Sequence, residues 1–171
     1  MSFYVLSKGN LTSIEFDYLS GAKGERLEAT LVPGMVTAKN EKLSAGAKGY
    51  AIEIMSSPVF SIDAKESVDV ALQTLKEKKI HHLVLTQGQS VKGLISDRDL
   101  SWLQKFELDK NAKVYQFMSN MILACHEEAR IDHIAKVMVK ENISAIPVVD
   151  SSSQLVGIVT HHDLLRWIYE C

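Results

Sequence analysis

Two cysteines and three prolines in 171 residues leave this chain little with which to staple or stiffen itself. Cys125 and Cys171 stand far apart and make no disulfide framework, so a reducing compartment, most simply the cytoplasm, is expected. No apolar run approaches the ~20 residues that a membrane helix needs. Residues 1–10 lack the basic start and long apolar stretch of a secretion signal. Charge of one sign is also missing: the formal net charge is −2 and the pI is near 6.3. A dedicated nucleic-acid binder masses Lys and Arg on one face, so neither nucleic acid nor membrane is expected as a partner. Signatures of catalysis are absent as well. There is no Gly-x-Ser-x-Gly and no Walker loop, and Gly21-Ala22-Lys23-Gly24 is too short to be one. Glu127-Glu128 reads as a solvated helix start, favoured by the dipole, and no enzyme is expected.

What is present is a core. Hydrophobic types make up 46% of the chain and charged ones 23%. At this length a folded chain buries roughly 70% of its unfolded surface. The dominant pattern is an internal repeat. Met55-Ser56 returns as Met118-Ser119, and the same offset carries Val68, Ala71, Leu72 and Leu75 onto Ile131, Ile134, Ala135 and Met138. Gly93-Leu94-Ile95-Ser96 returns as Gly157-Ile158-Val159-Thr160, and Asp99-Leu100 as Asp163-Leu164, with one residue inserted in the turn between Leu85 and Gly93. Turns tolerate such insertions. On this pattern Cys125 repeats Ile62 and is a strand core position.

Each unit reads as β-α-β-β-α. A short strand (59–62; 122–125) leads into a helix with apolar residues at i, i+3, i+4 and i+7. Two apolar strands follow (82–85 and 91–95; 146–149 and 155–159), joined by the turn formers at 87–90 and 150–153. The last helix starts at Ser96 or Thr160. One such unit cannot cover its own sheet, whereas two stacked face to face can. The expected division is 1–50 as an N-terminal extension, 51–108 as the first repeat and 109–171 as the second.

These residues resemble a tandem pair of CBS domains, a Bateman module. The resemblance runs from about Ala51 to Trp167 and rests on the Met-Ser openings, the strand Ile143-Ser144-Ala145-Ile146-Pro147-Val148-Val149, and the twice-repeated Gly-h-h-Ser/Thr-x-x-Asp-Leu, h being apolar. Val84 stands where the family usually has proline. The resemblance implies an α+β fold in which the repeats pack by pseudo-twofold symmetry. It also implies a regulatory role: the cleft between repeats takes an adenosine-containing ligand, AMP, ADP, ATP or S-adenosylmethionine, and its occupancy is passed to a partner protein that the sequence leaves unnamed. No obligatory cofactor is implied.

The Ser96-x-x-Asp99 and Thr160-x-x-Asp163 ends have two readings. Ser/Thr with an acid three residues on is a helix capping box. A helix N-terminus also attracts phosphate, and a carboxylate accepts from adjacent ribose hydroxyls. The resemblance assigns Asp99 and Asp163 to ribose. It puts His81 and His82 near phosphate in a first cleft, facing Ile143, Ser144 and Ala145 as the adenine wall. A second cleft with Thr160 and Asp163 has little positive charge nearby and is expected to be weaker or empty. Arg98 is either a phosphate clamp or a solvated or dimer-bridging charge. His81-His82 and His161-His162 suit a shared metal poorly, since neighbours on a strand face opposite ways, and no metal is expected.

Residues 1–50 hold six of the nine glycines. Residues 3–6 and 11–18, about a turn at Lys8-Gly9-Asn10, read as a hairpin, Ile14, Phe16 and Tyr18 alternating with polar residues. A hairpin alone is marginal in water, so it should pack on the repeats or on a second subunit. Residues 20–48 read as a long loop anchored at 31–36, either a solvated arm or a ligand-dependent effector element. The terminal helices carry surplus apolar residues (Leu100, Trp102, Leu103, Phe106; Leu164, Leu165, Trp167, Ile168), which marks an interface, and a homodimer through them is expected. The competing reading is a dimeric scaffold whose clefts take no nucleotide.

Overall fold

The structure, a computed structural model, describes residues 3–7, 10–19, 49–88, 90–105, 109, 111–119 and 121–170, and of residues 102–105 only the backbone. The loop expected over 20–48, the hairpin turn at Lys8-Gly9, Cys171 and the side chains of Trp102, Leu103 and Phe106 lie outside the described residues.

Apolar spacing and local capping set the elements. The hairpin is β1 (Phe3–Ser7) and β2 (Asn10–Ile14). A short helix, α1 (Ala51–Ile54), precedes β3 (Ser61–Asp63). Helix α2 (Val68–Lys78) is capped by Ser67 Oγ, which accepts from Val70 N at 3.2 Å. It stops at Lys79, whose φ of 53° lies in the left-handed region that ends helices. Then come β4 (His82–Gln87), β5 (Ser90–Ser96) and α3 (Asp97–Lys105). The second unit repeats the order as β6 (Met121–His126), α4 (Ile131–Lys140), β7 (Ala145–Val149), β8 (Leu155–Thr160) and α5 (His161–Glu170). The register slips once in each β4–β5 and β7–β8 pair, at Leu85/Thr86 and at Val148/Val149. These are matching places in the repeat, so the extra residue sits in the turn beyond.

The first unit has a three-stranded sheet, β3-β4-β5, and the second a five-stranded one, β2-β1-β6-β7-β8. The hairpin packs on the repeats as expected. β1 runs antiparallel to β6, Phe3 opposite Cys125, and extends the second sheet. Burying Phe3, 2% exposed, stabilises that join by about 1.5–3 kcal/mol.

Three expected elements need correction. β2 stops at Ile14, and residues 17–19 form a 3-10 turn. Tyr18 Oη donates to Glu141 at 2.8 Å, and Lys136 Nζ donates to the Tyr18 carbonyl, so helix α4 draws the chain out of the sheet. The alternation still marks the apolar side, because Ile14, Phe16 and Tyr18 all pack on the core. The first strand starts at Ser61, later than residue 59: the lead-in pairs with the other repeat's β8 at Ser56 and joins its own β4 only from Phe60, whose carbonyl accepts from Val84 N at 3.3 Å. Glu127 and Glu128 lie in the turn before α4, where Glu127 N donates to the Val149 carbonyl at 3.0 Å and the helix begins only at Ile131.

The lead-in segments are exchanged. Ala51 and Ile52 donate their N–H groups to Ala129 and Glu127, and Ser56 pairs with Ile158 on β8. Reciprocally, Val114 and Tyr115 donate to Glu66 and Ala64, and Ser119 to Leu94 on β5. The two cores follow suit. Ala51 is buried with Ile131, Ile134, Val137 and Ile146 of the second unit, and Val114 with Leu75, Leu83, Ile95 and Leu100 of the first.

Candidate functional site

The exchange explains two sequence marks at once. A Cβ added to Gly93 would stand 2.7 Å from Met118 Sδ and 2.8 Å from the Ser119 carbonyl oxygen, and one on Gly157 would strike Met55. The glycine of each Gly-h-h-Ser/Thr motif leaves room for the other repeat's Met-Ser. Each Ser/Thr-x-x-Asp end therefore has the opposite repeat's lead-in at its side.

Both ends are built as capping boxes. Ser96 N and Oγ donate to Asp99 Oδ2 at 2.9 and 2.7 Å, and Asp99 N donates back to Ser96 Oγ at 3.2 Å. Thr160 N and Oγ1 donate to Asp163 Oδ2 at 2.8 and 2.6 Å, and Asp163 N returns a bond of 3.4 Å to Thr160 Oγ1. Capping is thus present at both ends. It leaves the hydroxyl and carboxylate facing a crevice of about 1680 Å³ between the repeats, which all ten sequence-derived site residues line: Ser96, Asp99, His81, His82, Arg98, Ile143, Ser144, Ala145, Thr160 and Asp163. The two expected clefts form one continuous hollow.

The histidines part as the strand alternation requires. His81 Nδ1 lies 2.7 Å from Asp97 Oδ2. His82 points across the repeats, its Nε2 3.0 Å from Ser144 Oγ. Burial lowers the His82 pKa from its ordinary value, Asp97 and Asp99 oppose that, and His81 and His161 add to it. The backbone repeats faithfully here: Asp97 N donates to the His81 carbonyl at 3.0 Å, and His161 N to the Ser144 carbonyl at 3.2 Å. Where the first unit has His81, the second has the small Ser144, and that leaves room for His82 to cross. Arg98 is exposed at the crevice wall. His162 Nδ1 meets Arg166 at 3.3 Å. Cys125 is wholly buried, and burial pushes its thiol up to about 12. Among the described residues no three or more His, Cys, Asp or Glu gather as a metal site would require.

Several lining residues went unread in the sequence. Ser56, Pro58 and Phe60 of one lead-in, and Ser119, Met121 and Ile122 of the other, form walls of the crevice. Each group begins at the serine of a Met-Ser mark, which is the signal that would have found them. Lys79 and Asn142, both at φ 53°, stand at matching places on the rim.

Comparison with known proteins agrees with this geometry. Residues 51–103 and 114–170 each match the model of the CBS domain. A CBS domain-containing protein of Dictyostelium discoideum is 31% identical over 128 residues, covering 66% of this chain and 86% of that protein. L-aspartate semialdehyde sulfurtransferase of Methanocaldococcus jannaschii is 33% identical over 116 residues, 67% of this chain but 22% of the enzyme. The chain thus spans about a fifth of that enzyme's length. Among solved structures, the CBS domain pair of protein MJ0100 in complex with 5′-methylthioadenosine and S-adenosyl-L-methionine matches with a TM-score of 0.66 at 27% identity, covering 72% of this chain and 98% of that one. CBSX2 in complex with AMP matches with a TM-score of 0.62 at 25% identity, covering 71% and 96%.

Proposed function

The chain belongs to the CBS domain family, and on that premise we propose that it is a regulatory module. It takes an adenosine-containing ligand in the crevice between its repeats and signals occupancy to a partner protein. The observation that carries this reading is Asp99. Its Oδ2 is held by the Ser96 cap, while Oδ1 has no hydrogen-bond partner among the described residues, in an exposed side chain on the crevice wall. A rigid carboxylate with one open oxygen suits the adjacent hydroxyls of a ribose, and the start of α3 beside it suits phosphate. His81, His82 and Arg98 are basic groups of the same hollow, which Lys79, His161, His162 and Arg166 also line, so the Thr160 side carries more basic groups than the sequence led one to expect. The relatives crystallised with AMP and with S-adenosyl-L-methionine lend support. The module regulates and does not itself catalyse.

A scaffold that uses no nucleotide is favoured by one observation: both carboxylates are already bonded into their own helix caps. A thermal-shift panel with AMP, ADP, ATP and S-adenosylmethionine, on wild type and on Asp99→Ala, separates the two. A ligand at ~100 times its dissociation constant stabilises the native state by about 2.7 kcal/mol. The expected outcome is a rise in melting temperature with one of these ligands that Asp99→Ala abolishes. No rise with any of them leaves the scaffold.

A further inference from the structure

The two repeats serve as internal controls for each other, because one motif is built twice from nearly the same residues. The caps agree bond for bond, and the difference lies at the other carboxylate oxygen. Ser56 Oγ donates to Asp163 Oδ1 at 3.1 Å. Ser119 holds the matching place in the other lead-in and makes no hydrogen bond to Asp99. Asp163 is 4% exposed, whereas Asp99 is open to solvent. Nor is Ser56 a wandering side chain. Its N donates to the Ile158 carbonyl at 2.9 Å, and its carbonyl accepts from Ile158 N at 3.1 Å, two residues before Thr160. The backbone thus delivers the hydroxyl to Asp163.

We propose that the crevice takes one ligand, in its Asp99 half, and that Ser56 holds the Asp163 half shut. This rests on the adenosine reading and adds the stoichiometry and its cause. A carboxylate whose Oδ2 is spent twice on its own cap has only Oδ1 to offer two ribose hydroxyls. At Asp99 that oxygen is open. At Asp163 it already accepts a hydroxyl hydrogen bond chemically equivalent to the one a ribose would make. The resident donor is part of the chain and loses no translational freedom in staying there, while an incoming ligand does. The ligand would also have to reach a carboxylate that is only 4% exposed.

The test is calorimetric titration with AMP and, separately, with 5′-methylthioadenosine, on wild type, Ser56→Ala, Ser56→Thr and the double variant Ser56→Ala with Asp163→Ala. Wild type should bind one equivalent and Ser56→Ala two, the second being lost again in the double variant. Ser56→Thr keeps the hydroxyl and should stay at one. Two equivalents in wild type, or one in Ser56→Ala, overturns the proposal. Melting without ligand tests the lock by itself. Ser56→Ala strands a buried carboxylate oxygen and should melt roughly 2–4 °C lower, while Ser119→Ala stays within about 1 °C on the same scale. Equal melting of the two variants overturns the lock. If neither probe binds any of the proteins but the melting contrast holds, the adenosine reading fails and the lock stands.

Discussion

His82 joins the two halves through a side chain, and its charge state is part of the fold. Its imidazole meets Ser144 Oγ in a half-buried place where burial disfavours the cation. The folded-state pKa is therefore depressed relative to the unfolded one. The unfolded chain takes up the proton first as pH falls, so stability is held above ~6.5, the unfolded value, and lost as pH drops through the folded value. The expected result is a melting temperature that declines from pH 7 to pH 5, with a shallower decline in His82→Gln, followed by calorimetry in matched buffers. An equal slope in both proteins would show that other groups govern the acid limb. Much at this scale was legible. The alternation of a strand separates His81 from His82, and the capping spacing locates Ser96 with Asp99. The crossing of His82 to Ser144 was not, since it depends on how two distant strands face each other.

Among the elements, the lead-in segments organise the rest. They run against the opposite repeat's last strand, and the glycines at 93 and 157 are what let them approach. In Gly93→Ala the new methyl meets a sulfur, which can rotate away, and a backbone carbonyl, which cannot. Overpacking of this kind costs about 1–3 kcal/mol, so melting should fall by several degrees in a denaturation series. Met118→Ala in the same chain should restore only part of that loss, the carbonyl contact remaining. Melting unchanged by Gly93→Ala would mean that the lead-in shifts freely. The repeated Gly-h-h motif was plain in the sequence, but its reason was not, because the residue that needs the space lies in the other repeat. The same limit applies to β2. Periodicity found the apolar side through Tyr18 but had no view of Glu141 and Lys136, which bend the chain after Ile14.

For the whole molecule, the surface of α5 decides the assembly. Leu165 is 65% exposed, Ile168 56% and Tyr169 91%, more apolar surface than one terminal helix of a monomer ordinarily leaves in water. These residues support the proposal of a homodimer through the terminal helices. Light scattering on a sizing column should give twice the chain mass for wild type and the single mass for Leu165→Glu with Ile168→Glu. A wild type of single mass would remove the dimer. The repeat announced two stacked halves, and of the apolar residues read as surplus Leu165 and Ile168 are exposed, but Leu100 and Leu164 are buried and Trp167 packs on the core; nothing in the order of residues told which half each lead-in would join.

That crossing has a consequence for how the chain could be divided. Val114 follows the first repeat's last helix in sequence, yet it fills the first repeat's core, while Ala51 leaves for the second. Severed between residues 105 and 111, each fragment would carry a plug that fits the other's hole and have none for its own. Such fragments should be obligate complements, insoluble or unfolded apart and native when mixed. The protein should therefore unfold as one cooperative unit, because each half is finished by a piece of its neighbour.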